Sequence, residues 1–351
     1  MKIIHTADLH LGMRPDRGQP WSDERSEALW QTFRFIVRTT KEKRADLLLI
    51  AGDLFHRQPL ARELKEADSL LASLAPTPVV LIAGNHDCLS PHSHYRNFTW
   101  SDNVIFIDSP RPDSVLLSDL GVVIHGFSYH QAEVREALCD HLHVPNDGYI
   151  HILLAHGGDA GHVPMDKQRL AAAGFHYAAL GHIHKPQLCE DLRLAWCGSP
   201  EPLDCTDTGS RGFIEADVTR ARTRLTFIPS ATASYIPLSV TVNAGTTREK
   251  LALSLEKAMA SGKGKRYYVI TIQGERNMDT DFSTPLSLPC PVARWEDRTR
   301  ITVDYDRLLS EHSGDLLGQF ISEMRRHPPG PLRDRALAFG VRACLGEEAQ
   351  Q

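Results

Sequence analysis

Apolar positions in the first half of the chain fall into two alternating patterns. Unbroken runs, KIIHTA at 2–7, DLLLIAG at 46–52 and TPVVLIAG at 77–84, have the length and continuity of strands buried on both faces. Between them apolar residues recur at helical spacing. Leu29, Phe33, Ile36 and Val37 share one face of SDERSEALWQTFRFIV, with Ser22 as its expected cap, and Leu64, Ala67, Leu70, Leu71 and Leu74 share one face of ARELKEADSLLASLA. Further strands are predicted at VIFID (104–108), LGVVIHGF (120–127), YIHILLAHGG (149–158) and FHYAALGHIH (175–184), and a helix at QAEVREALCDHL (131–142). Strands alternating with helices of this length imply βαβ units and a buried, largely parallel sheet, an α/β fold.

The pattern changes near residue 230. SYIPLSVTV, TREKLALSLEKAMA and RYYVITIQG predict a strand, a helix and a strand without a ligand-rich turn, so 231–302 is expected to be a small α+β domain after a main domain at 1–230. At 303–351 two amphipathic helices are expected, one over 305–326 with Leu309, Leu316, Phe320 and Met324 and one over 331–345, separated by HPPGP. They either pack on their own domain or offer a surface to a partner helix.

Composition narrows the class without naming a function. With 351 residues, 42% hydrophobic and 24% charged, there is material for more than one core, and no apolar run is long enough to span a membrane. The start, MKIIHTADLH, reads as a strand without a signal segment, which makes the cytoplasm the expected location. Seven cysteines without a C-x-x-C pair argue for reduced thiols rather than a disulfide framework or structural zinc. A net charge of -5 counts against a nucleic-acid footprint, softened only by the basic runs KEKR at 41–44 and SGKGKR at 261–266.

The chemistry lies in the turns that end the predicted strands. The first strand leads into Asp8 and His10, the second into Asp53 and His56, and the third into Asn85, His86 and Asp87; two later strands end on His156 and on His182 and His184. The carboxyl ends of strands in an α/β sheet converge on one crevice, so these five turns are expected to meet. Asp after Gly52 is also ordinary turn chemistry, but five polar turns after five apolar strands are far more specific than one.

Two divalent cations side by side need a ligand that spans both, and a carboxylate offers two oxygens and offsets their repulsion. Asp53 is the expected bridge. Asp8, His10 and His184 would complete one ion, and Asn85, His156 and His182 the other. A donor set without thiolate suits manganese, iron or zinc alike. Such a pair would activate a water for in-line attack on a phosphoester, with His86 as general acid or else as a further ligand. Asp87 would orient His86 or serve the turn. Arg14 and Arg17 could meet phosphates, whereas His5, His125, His151 and His176 alternate with apolar residues and read as core or interface histidines.

DLHLG, GDLFH, GNHD, AHGG and GHIHKP together resemble the calcineurin-like metallophosphoesterases, and within them the Mre11/SbcD DNA repair nucleases. His56 in GDLFHRQ stands where that branch places a histidine, in contrast to the GDxxDRG of phosphatases, and GSPEPLDCTDTGSRGF at 198–213 is similar to the bacterial YhaO-like subgroup. The resemblance implies a four-layered α/β/β/α fold with a smaller capping domain, two manganese ions and His86 as catalytic histidine. It also implies 3'-to-5' DNA exonuclease activity, with single-strand endonuclease activity as a companion. An SMC-like ATPase of Rad50/SbcC type is the implied partner, and a homodimer is compatible with the family. The competing expectation, favoured by the acidic net charge, is a hydrolase of small phosphoesters such as cyclic nucleotides.

Overall fold

The computed structural model describes residues 1–259, 264–277 and 280–345. The chain divides into two units, Met1–Ile236 with a short run ending at Tyr267, and the remainder from Pro237 onward. In the first unit the order is β1 (Lys2–Thr6), α1 (Ser22–Glu42), β2 (Leu47–Ala51), α2 (Ala61–Ala72), β3 (Val79–Ile82), β4 (Val104–Phe106), β5 (Asp113–Leu117), β6 (Val122–Gly126) and β7 (Ile150–His156). It continues with α3 (Lys167–Ala172), β8 (Tyr177–Gly181), β9 (Gln187–Cys189), β10 (Leu194–Trp196), β11 (Gly212–Val218), β12 (Thr223–Pro229) and the start of β13 (Ala233–Val242).

These strands form two six-stranded mixed sheets rather than one largely parallel sheet. The first has the order β12-β11-β1-β2-β3-β4 and the second β5-β6-β7-β8-β10-β9. The inner strands β1 to β4 run parallel, as do β6, β7, β8 and β10, while β11, β12, β5 and β9 add antiparallel margins.

The strand period of two explains how the run at 47–51 can be apolar throughout. Leu48 and Ile50 pack with Leu29, Phe33 and Ile36 of α1 and Leu64 and Leu71 of α2. Leu47, Leu49 and Ala51 instead face Ile124, Ile152, Leu154 and Ala179 of the other sheet. On the far side of that second sheet, Leu153, Ala178, Leu194 and Trp196 gather with Leu170 of α3. Helix, sheet, sheet and helix are therefore four layers around three apolar seams.

Two local expectations fail for identifiable reasons. Ser22 is the first helical residue rather than the cap, since its hydroxyl donates to the Pro15 carbonyl at 2.8 Å and Trp21 precedes the helix without a side-chain cap. Residues 131–142 are not helical. Val134 donates its backbone N–H to Gly161 O and accepts from Val163 N–H, so the loop after β7 takes the groups a helix would need, while Cys139 is buried and Val134, Leu138 and Leu142 are half-buried against the second sheet. Helical spacing here reports burial, not helix.

In the second unit β13, β14 (Lys265–Asn277) and β15 (Val292–Thr302) form a three-stranded sheet in that order, with α4 (Arg248–Met259) before β14. The helix expected over 305–326 is broken into α5 (Tyr305–Glu311) and α6 (Leu316–Arg326), because Asp315 accepts from the N–H groups of Leu317 and Gly318 and starts a new helix. Leu317 and Ile321 of α6 pack with Leu337 and Val341 of α7 (Pro331–Cys344). Of the basic run at 261–266, residues 261–263 lie outside the described residues. All seven cysteines are free, and among the described residues no helix is long and apolar enough to cross a membrane.

Candidate metal centre

The turns after β1, β2, β3, β7 and β8 meet at the carboxyl ends of the two parallel sets. The first two are laced together, with Asp8 N–H donating to Gly52 O and His10 N–H to Asp53 O, both at 3.1 Å. Asp8, His10, Asp53 and His182 all have positive φ, 51°, 46°, 50° and 88°. This region costs a non-glycine residue on the order of 1–3 kcal/mol, a strain that surrounding structure holds in place at functional sites. Close approach also decides a neighbour, since a Cβ on Gly84 would strike the Asp53 carboxylate.

Asp53 is central and buried. Its Oδ1 accepts from the backbone N–H of His86 at 2.9 Å, while Oδ2 lies 3.6 Å from His10 Nε2 and 3.4 Å from His156 Nε2. Burial alone would raise its pKa, but the charge and hydrogen bond of His156, with His10 and His86, hold it well below the usual carboxylate range. Asp8, also fully buried, is pushed up to about 6 by burial, and both of its oxygens receive the His182 N–H.

His156 donates from Nδ1 to Ala51 O at 2.8 Å, which turns Nε2 toward Asn85 Oδ1 at 2.9 Å. His182 Nδ1 is 3.2 Å from that same amide oxygen. Asn85, His156 and His182 thus converge, as expected for one ion, and Asp8, Asp53 and His156 bring donor atoms within 4.8 Å of one another. So do Asp8, His10 and His184, the set expected for the other. Burial lowers His10 to about 3 and His182 to about 4. Burial would also lower His156, but Asp53 overrides it and raises the imidazole to about 9.

These residues fit divalent cations. His10 Nε2 is buried without a hydrogen-bond partner beside a carboxylate, and the donors are carboxylate, amide and imidazole without sulfur.

His86 is exposed at the rim. Its Nδ1 donates to His56 O at 3.1 Å, its ring stacks on the His56 ring at 5.1 Å, and it meets His10 edge-on at 4.7 Å. His56 Nδ1 lies 3.2 Å from His10 Nδ1. The expected contact between Asp87 and the His86 imidazole is not made. Asp87 Oδ1 accepts from Gly84 N–H at 2.8 Å, and Oδ2 from Phe55 N–H at 3.0 Å and Tyr95 O–H at 2.9 Å. It is a buried clasp between the second and third turns, raised to about 7 by burial and by the Asp53 charge.

Three carboxylate and arginine positions escaped sequence reasoning. Asp159 Oδ2 lies 2.7 Å from His182 Nε2. Asp207 Oδ2 lies 3.6 Å from His184 Nδ1, and Arg211 reaches Asp207 at 3.0 Å and also donates to the His184 carbonyl. The sequence offered only GGDAGH at 157–162, in which Asp159 stands three residues past His156, and the stretch at 198–213. Arg14 is paired with Asp23 at 3.3 Å at the surface. Of the discounted histidines, His5 Nδ1 meets Tyr177 Oη at 2.7 Å in the core, and His125 Nε2 meets His151 Nδ1 at 2.9 Å.

Residues 1–186, more than half of the chain, match the calcineurin-like phosphoesterase family, and the chain belongs to it. It is 28% identical over 239 residues to the uncharacterized metallophosphoesterase YhaO of Bacillus subtilis (strain 168), covering 62% of this chain and 58% of that protein. It is 30% identical over 234 residues to the DNA double-strand break repair protein Mre11 of Aeropyrum pernix, covering 60% and 56%. The chain therefore spans little more than half the length of these curated relatives. Among solved structures, TT1561 of Thermus thermophilus superposes with a TM-score of 0.41 at 10% identity, over 64% of this chain and 98% of that one, too distant to carry an argument.

Proposed function

We propose that the chain is a two-metal phosphodiesterase acting on DNA, a 3'-to-5' exonuclease that works with an SMC-like ATPase. One observation carries the two-ion reading: Asp53 Oδ2 lies within 3.6 Å of His10 Nε2 and 3.4 Å of His156 Nε2, which belong to two donor clusters that have Asp8 in common. Asp53 would bridge, with Asp8, His10 and His184 on one ion and Asn85, His156 and His182 on the other. Bound divalent ions supply Lewis acidity that activates a water and neutralises charge on the phosphoryl oxygens.

The chain's own residues do the rest. The hydrogen bond from His86 Nδ1 to His56 O leaves Nε2 to face the substrate, and a proton carried on Nε2 can pass to a departing oxygen. The His56 ring stacked behind it limits the orientations His86 can take. Asp87 keeps this pair in register with Asp53 through Phe55 and Gly84.

The DNA reading rests on the histidine at position 56 and on the relation to Mre11, named for double-strand break repair. Under this reading the segment after residue 230 caps the nuclease domain and the terminal helices dock the ATPase. Manganese-loaded protein should release nucleotides from the 3' ends of duplex DNA. Faster turnover of a chromogenic phosphodiester or of cyclic nucleotides than of DNA would instead favour a small-phosphoester hydrolase, the reading that the net charge of -5 supports.

A further inference from the structure

His182 is oriented oppositely to His156. In His156 it is Nδ1 that is tied to the fold, by Ala51 O, and Nε2 that faces Asn85. In His182 it is Nε2 that is tied, to Asp159, and Nδ1 that faces Asn85. A neutral imidazole carries one proton, and the contact to a carboxylate at 2.7 Å takes it in preference to that with a neutral amide oxygen at 3.2 Å. The lone pair of Nδ1 and that of Asn85 Oδ1 then point at each other, an arrangement that repels unless a cation is shared between them.

Asp159 is itself fixed before any ligand arrives. Its Oδ1 accepts from Gly161 N–H at 2.7 Å and from the N–H and Nδ1 of His162 at 3.0 and 2.9 Å, while Oδ2 lies 2.7 Å from His182 Nε2 and 3.1 Å from the shared His162 Nδ1. Gly157 and Gly158 before it both have positive φ, which brings this loop back over the end of β7.

We propose that Asp159 is a positioning residue, a carboxylate that holds the proton of His182 on Nε2 and so reserves Nδ1 for one of the two ions. The proposal rests on the reading of His182 as a ligand, and carboxylate partners of this kind fix the ring and raise its basicity.

Asp159→Asn separates this role from a structural one. The amide oxygen can keep the three loop hydrogen bonds, which leaves an N–H facing His182 Nε2 and demands a lone pair where the carboxylate demanded a proton. In histidine-labelled apo protein, the 15N spectrum of the wild type should show His182 Nε2 as the protonated nitrogen, and Asp159→Asn should move the proton to Nδ1. Titration of the full chain with manganese chloride should then show one of two sites weakened about 10–100-fold, with the other site and the melting temperature unchanged. A wild-type spectrum with the proton on Nδ1 would overturn the proposal, as would wild-type affinity at both sites in the variant. Loss of a third ion on Asp159→Asn would also overturn it, because Asp159 would then be a ligand. His182→Ala tests the underlying reading separately: retention of two manganese ions there defeats His182 as a ligand, whatever the spectrum of Asp159→Asn shows.

Discussion

Asp53 accepts the backbone N–H of His86 on one carboxylate oxygen and turns the other toward His10 and His156. The turn that presents the rim histidine is thereby locked to the residue that would bridge two ions, so His86 and the Asp53 carboxylate are held in one geometry. Asp53→Asn should lower phosphodiesterase activity on the order of 100-fold or more and release at least one manganese ion, measured by turnover and metal analysis of the same preparation. Wild-type metal content with wild-type turnover would contradict the bridging role.

His86 and His56 touch each other but differ in what they hold. His86→Ala removes the exposed imidazole and should lower kcat about 10²–10⁴-fold with manganese content unchanged. His56→Ala leaves His86 its carbonyl partner but removes the ring behind it and the contact to His10 Nδ1. It should therefore broaden the pH profile and weaken metal binding as well as slow turnover. A single variant set assayed for kcat and metal content checks both.

Metal binding should depend on pH in a defined direction. Burial alone would lower His156, but Asp53 raises it to about 9, so at neutral pH an arriving ion must expel a proton from Nε2. Apparent manganese affinity should rise about tenfold per pH unit from 6 to 9 and level off above. Below about 6 it should fall more steeply, because Asp8, raised to about 6 by burial, must also lose a proton. Calorimetric titrations across this range test the slope, and a flat profile would place the ligating nitrogen elsewhere.

Gly84→Ala should cost both metal and stability. The added methyl would collide with the Asp53 carboxylate and with the Asp53 backbone nitrogen, so the turn that presents the carboxylate must shift. Reduced manganese affinity together with a lowered melting temperature is the expected pair of readings.

Asp87→Ala should cost mainly stability. It strands the N–H groups of Phe55 and Gly84 and the hydroxyl of Tyr95 in the core, at about 1–3 kcal/mol for each unsatisfied group. Chemical denaturation should show a loss of several kcal/mol. A stable variant with only a slower chemical step would instead return Asp87 to the rim.

The positions of the five turns were legible because an apolar run that ends on aspartate, asparagine or histidine is rare enough to stand out, and the run at 47–51 is indeed packed on both faces. Two sheets were not legible from residues alone. β5, β9 and β12 are short or half-exposed antiparallel strands, β11 is a mostly buried antiparallel strand between β12 and β1, and nothing in their own composition says which sheet they join. The false helix at 131–142 shows the limit of periodicity: Val134, Leu138 and Cys139 pack inward as a helix face would, but the backbone partners come from residues 161–163, about thirty positions away. Asp159 was invisible for the same reason. Its value lies in a loop that folds back to His182, and a lone aspartate between glycines gives no sign of that return.

The central claim is a shared carboxylate between two cations, and the most direct measurement is anomalous diffraction from a manganese-soaked crystal. Two peaks about 3.5–4 Å apart, both in contact with Asp53, are the predicted result. A single peak, or two peaks of which Asp53 touches only one, would contradict it.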